Sequence, residues 1–235
     1  MSSQPNSRGV VATAARLLTF RLTAGEFRGF RPAHLYFGLA CTWAVGVGRW
    51  WDDPRAGLLQ HLGVGSVVYV FILTALLWVV ARPLGPRRWS YRHALTFVAL
   101  TSPPAVLYAV PVEMLFGLGT ARGLNLLFLC VVASWRVGLL VFYLRRHAGL
   151  GLPAAAVTTL LPIVAIICTL AVLNLEKAAF AAMGGLRGEP TANDSAYGFL
   201  TLLALLSFTL LPVLLVIYAV VWWRAHGRVE GDEGR

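Results

Sequence analysis

Six apolar stretches, separated by arginines or by proline and glycine, fill most of the chain between residues 33 and 223. A helix that crosses a bilayer needs roughly 20 mostly apolar residues, and all its backbone polar groups must bond internally. The stretches at about 33–50, 58–81, 91–112, 124–144, 155–175 and 196–223 meet or approach that length. The chain has 235 residues, 58% hydrophobic and 13% charged, where soluble domains average about 45–50% and about 25%. The predicted fold class is all-α: a polytopic transmembrane helix bundle of six spans. A tail over residues 1–30 precedes a transmembrane domain over 31–223, and a charged tail over 224–235 follows it. These lengths leave no room for a separate soluble domain.

The basic residues orient the bundle. Arg and Lys number five in the N-terminal tail, four in 82–92, two in 145–154 and three after residue 223. The loops 51–57, 113–123 and 176–195, with their flanking residues, hold only five between them. Cytoplasmic loops carry the excess of Lys and Arg, so both termini are expected in the cytoplasm and those three loops outside. Net charge is +10, and Lys177 is the lone lysine among twenty basic residues. The charge is distributed over loops flanking apolar segments, which indicates anionic lipid headgroups and not nucleic acid as the partner. The arginine bias, with abundant Ala, Gly, Leu and Val, suggests a GC-rich bacterial genome and hence a multi-pass protein of a bacterial inner membrane.

Residues 9–22 carry Val10, Val11, Ala14, Leu17 and Leu18 on one helical face. Arg16 interrupts the apolar run, unlike a secretory signal peptide. A basic amphipathic helix lying on the cytoplasmic leaflet is expected, with Arg8, Arg16 and Arg21 at the headgroups.

Arg136 is the one charge well inside a span. Intramembrane charges are expensive and usually face a bundle interior or a watery cavity. Pro104, Pro162 and Pro212 each leave a carbonyl one turn earlier without its usual donor. Arg136 is therefore expected on the cytoplasmic half, against the carbonyls freed by Pro104 and Pro162 and the hydroxyls of Thr158 and Thr159. Cys41, Cys130 and Cys168 all lie in apolar segments without CxxC spacing and read as small buried hydrophobes. The outer-loop acids are scattered, so no metal or cofactor is predicted. No HExxH, GxSxG or GxxxxGK[ST] pattern is present, and no catalytic residue is assigned.

Three runs carry a family resemblance. The first is Phe97-Val98-Ala99-Leu100-Thr101-Ser102-Pro103, with Pro111 after it. The second is Ser134-Trp135-Arg136-Val137-Gly138-Leu139-Leu140, and the third is Gly149-Leu150-Gly151-Leu152-Pro153-Ala154-Ala155. Over residues 91–170 the chain resembles the Yip-type integral membrane family, whose eukaryotic members are Rab-GTPase-interacting trafficking proteins. That family's core usually has five spans, one fewer than counted here. The resemblance implies a cytoplasmic N-terminus and a role in membrane organisation or as an adaptor.

The expectation is a non-catalytic inner-membrane protein that organises membrane or serves as an adaptor subunit of a cell-envelope complex, with other membrane proteins as partners. The alternative is a small facilitative transporter or accessory permease subunit. Topology reporters fused at residues 188 and 235 are expected to give opposite signals; the same compartment for both overturns the six-span threading.

Overall fold

The computed structural model describes residues 9–48, 58–86, 89–184 and 194–230, and every regular element among them is helical. Two short helices open the chain, α1 (Val10–Leu18) and α2 (Ala24–Arg28). Then come α3 (Pro32–Val47), α4 (Leu58–His61) and α5 (Val64–Ala81). α6 (Tyr91–Leu100) runs into a 3-10 stretch, Pro103–Ala109, followed by α7 (Val112–Leu115). Three long helices finish the fold: α8 (Leu118–Arg146), α9 (Leu152–Gly184) and α10 (Asp194–Glu230).

Four segments are long and apolar enough to cross a membrane: Val64–Leu84, Leu118–Arg146, Leu152–Leu173 and Leu202–His226. Their outward residues are apolar, among them Ile72, Val79, Leu127, Leu170, Leu205 and Val216. Such a surface suits hydrocarbon as its solvent. The other two sequence-predicted spans form shorter helices. The 16 residues of α3 rise about 24 Å, short of the roughly 30 Å hydrocarbon core. In the stretch 91–112, α6 stops at Leu100, because Pro103 and Pro104 cannot donate to the preceding turn. The chain continues as a 3-10 run. The expected loop 176–195 is also narrower, since α9 continues to Gly184 and α10 begins at Asp194.

α3 holds the shorter elements together through small residues. Gly38, Thr42 and Gly46 recur every fourth residue and are all buried, so they share one face. A Cβ built on Gly38 would lie 2.7 Å from the carbonyl carbon of Ala99. One built on Gly46 would lie 2.8 Å from the Cα of Gly63. Gly63 itself has φ 68°, a left-handed turn that ends α4 and starts α5. Small residues allow helix backbones to approach where lipid supplies no hydrophobic drive between them.

The other fixed point is aromatic. Tyr143 near the end of α8 stacks on Phe97 of α6, ring centroids 4.1 Å apart, and Phe27 of α2 meets it edge-on at 5.3 Å. His147 lies 5.0 Å from the same ring. α10 is tied to α5 by the Tyr218 hydroxyl, which donates to the Val80 carbonyl at 3.0 Å.

Gly38→Ala should lower stability by about 1–3 kcal/mol, the usual cost of overpacking a tight contact. Gly119→Ala, whose Cβ meets nothing within 4 Å, should leave stability unchanged or raise it slightly. Thermal unfolding of the two variants in detergent checks the contrast.

Candidate functional site

The close approach at Gly38 sets up a polar pocket. One turn further along α3, the Thr42 hydroxyl donates to the Gly38 carbonyl at 2.9 Å and lies 2.6 Å from Ser102 Oγ. Ser102 begins the 3-10 run. That geometry has three residues per turn, so positions three apart eclipse. Ser102, Ala105 and Tyr108 accordingly form one edge, and all three line the pocket. The first turns of α5 contribute Gly65, Ser66, Tyr69 and Val70, and α3 adds Val45 beside Thr42.

Arg136 of α8 completes the wall. It is half-buried, and the phenols of Tyr69 and Tyr108 bear on its guanidinium. The pocket measures about 270 Å³. Among the described residues its lining holds one guanidinium, five hydroxyls and no carboxylate. Arg presents five donors in a rigid fork, and hydroxyls rotate to donate or accept. Such a lining suits an oxyanion. The size is at the low end of ligand pockets, which run to roughly 300–1,000 Å³, so a phosphate- or carboxylate-sized group fits better than a large metabolite.

This placement corrects the expectation for Arg136. Helical side chains lean toward the helix N-terminus, which carries the guanidinium away from the Arg145–Arg146 end of α8. The pocket walls are the end of α3 and the start of α5, at the far end from those arginines. Arg136 lines the pocket with five hydroxyls, and the phenols of Tyr69 and Tyr108 act on it through space. Pro104 lies in the 3-10 run beside the pocket but does not line it. Thr158 and Thr159 are buried in α9 and do not line it either. The Thr159 hydroxyl donates to the Ala155 carbonyl at 2.8 Å. Pro162 lies inside α9, also outside the pocket lining. The residues that sequence reasoning missed, Thr42, Ser66, Tyr69, Ser102 and Tyr108, share one signal: each is a hydroxyl placed in an apolar segment.

The N-terminal segment also differs from the leaflet-bound helix expected. Ala14 and Leu17 of α1 are buried against the protein, and Val11 is left exposed. The apolar face therefore mostly serves the bundle. α1 ends in a Schellman turn: the Arg21 N–H donates to the Arg16 carbonyl at 2.8 Å and the Phe20 N–H to the Leu17 carbonyl at 2.9 Å. The left-handed position belongs to Phe20, φ 59°, where glycine is usual. Its ring meets Phe142 edge-on at 5.8 Å. The Trp135 indole N–H, next to Arg136 in sequence, donates to the Leu18 carbonyl at 2.9 Å. Arg16 is committed within the segment, to the Arg21 carbonyl at 2.8 Å and Glu26 at 3.1 Å. Arg21 is exposed, and Arg8 lies outside the described residues.

Fold and pocket together define the class: an all-helical protein with four helices able to span a membrane and a small polar pocket beside one of them. No family model, curated protein or solved structure matches the chain.

Glu26 makes the docked N-terminal segment sensitive to acid. Burial alone would raise its carboxyl. The Thr23 N–H, the Arg16 guanidinium and the Thr23 hydroxyl outweigh burial and lower it from the ordinary 4.5 to about 2. A depressed carboxyl contributes its stability fully above its unfolded value and loses it as pH falls toward the folded one. Amide exchange in residues 10–28, corrected for intrinsic rate, should therefore speed up as pH drops from 5 toward about 2. In Glu26→Gln it should be fast at every pH in that window.

Proposed function

We propose that this chain is a non-catalytic membrane protein that holds a small anionic group at Arg136, as a facilitative carrier or an accessory permease subunit. The observation that carries this reading is the Arg136 pocket, a guanidinium among five hydroxyls inside an otherwise apolar bundle. A second feature supports it: one wall is a broken helix, where α6 gives way to the 3-10 run. Carriers build binding sites from interrupted helices at membrane depth, because irregular backbone is tolerated there only where it lines a cavity. In this proposal α3 and the α6–3-10 segment are the two remaining membrane-embedded elements of a six-span threading. Both termini face the cytoplasm of a bacterial inner membrane, as the arginine asymmetry indicates.

The adaptor reading has its own support, the Yip-type resemblance over residues 91–170. It makes Arg136 structural glue. The two readings part at one variant. Arg136→Leu should keep normal abundance and thermal stability if the site serves a ligand. Inorganic phosphate should then raise the melting temperature of the wild-type protein but not of Arg136→Leu. Tyr108→Phe should weaken the phosphate effect by about 1 kcal/mol, one hydrogen bond. Loss of the fold in Arg136→Leu, or equal phosphate stabilisation of variant and wild type, overturns the anion-site reading.

A further inference from the structure

A second basic feature lies at the other end of α8 and belongs to a different kind of ligand. Gly138, Val141, Phe142, Arg145 and Arg146 follow spacings of three and four, so they form one stripe along the helix. With Leu150 from the turn after α8 they line an open groove of about 530 Å³. The groove is graded along its length. Its inner part is apolar, with the Phe20 ring set against Gly138, and its outer end is two exposed arginines. Gly138 to Arg146 spans about 12 Å at 1.5 Å per residue. The Arg146 guanidinium sits 5.8 Å over the Phe142 ring, which orients one charge along the groove. Among the described residues no carboxylate lines the groove. Glu26, the nearby acid of the docked N-terminal segment, is paired with Arg16.

We propose that this groove binds one anionic phospholipid, its phosphate on Arg145 and Arg146 and its glycerol and upper acyl chain along Phe142, Val141 and Gly138. The grading matches an amphiphile and neither a free anion nor a peptide. A free phosphate leaves the apolar part of the groove empty. The position also matches, since α8 is long and apolar enough to cross a membrane and the arginines close its end. Planar guanidinium groups bind phosphate oxygens in pairs. Lipids without net charge lack the complement to two adjacent exposed guanidinium groups. The proposal is independent of the Arg136 site and uses none of its residues.

The test uses the full-length protein purified in detergent and read by native mass spectrometry. Phosphatidylglycerol, phosphatidylcholine and glycerol 3-phosphate are titrated separately. One phosphatidylglycerol per chain should be retained in preference to phosphatidylcholine, with no retention of glycerol 3-phosphate. Each arginine near a membrane surface contributes about 1 kcal/mol, or about fivefold. Arg145→Gln/Arg146→Gln should therefore weaken phosphatidylglycerol retention by an order of magnitude or more. Arg145→Lys/Arg146→Lys, which keeps the charge and so the threading, should weaken it less. Arg82→Gln/Arg92→Gln removes the same charge outside the groove and should retain lipid like the wild type. Equal retention of phosphatidylcholine, binding of glycerol 3-phosphate alone, or equal loss in the Arg82/Arg92 control overturns the proposal in favour of a diffuse basic surface.

Discussion

The backbone contact between α3 and the end of α6 governs the rest of the bundle. At Gly38 there is no room for even one added carbon atom. That approach brings Thr42 onto Ser102, and one turn later it seats Gly46 against the left-handed Gly63. Three elements thus converge on a seam of residues with almost no side-chain reach. A converging seam of short side chains cannot fill its own open end. The void it leaves is the pocket into which Arg136 extends from α8.

Hydroxyl groups in the bundle differ in what they meet, their own helix or the pocket, and Thr42 meets both: it donates to the Gly38 carbonyl and lines the pocket. Thr74, Thr159 and Thr169 each donate to the carbonyl one turn back, at 2.6–2.8 Å. Those hydroxyls are satisfied within their own helices and can sit anywhere in apolar surroundings. Ser66, Tyr69 and Tyr108 are instead directed toward a shared space with a cation in it. An intramembrane arginine is tolerable when its donors face polar oxygen. The pocket therefore resolves a cost that the α8 sequence imposes by itself.

The long apolar runs of α5, α8, α9 and α10 could be read from the sequence, because each stays apolar over a membrane-spanning length and the single prolines inside α9 and α10 do not end those helices. The segments 33–50 and 91–112 were apolar enough to suggest spans, but apolarity does not mark where a helix stops. The stop in the second lies at Ser102-Pro103-Pro104, and its consequence, an eclipsed 3-10 edge, depends on geometry that composition does not carry. Arg136 was evident as the centre of a site because it stood alone. Its neighbours were not, since they come from three other elements and Thr42 is placed only by a glycine contact. Thr158 and Thr159 looked suitable by depth, yet depth along an axis says nothing about which way a helix is turned. The amphipathic pattern of residues 10–18 was correctly a helix with one apolar face. Periodicity does not distinguish a face made for lipid from a face made for the rest of the protein, here α3 among it.

The Phe20 turn carries a consequence for the order in which the molecule is assembled. A bulky residue in the left-handed region costs about 1–2 kcal/mol, and it is held there by Trp135 and Phe142. Trp135 follows Leu18 by 117 residues, so at roughly 5–20 residues per second its synthesis lags on the order of ten seconds. The close of the first segment made is thus among the last parts to find its place. α1 packs on α3, which is made soon after it, but the turn at its end waits for α8. The helix forms from its own nine residues, but the left-handed turn that closes it depends on a side chain 117 positions further on.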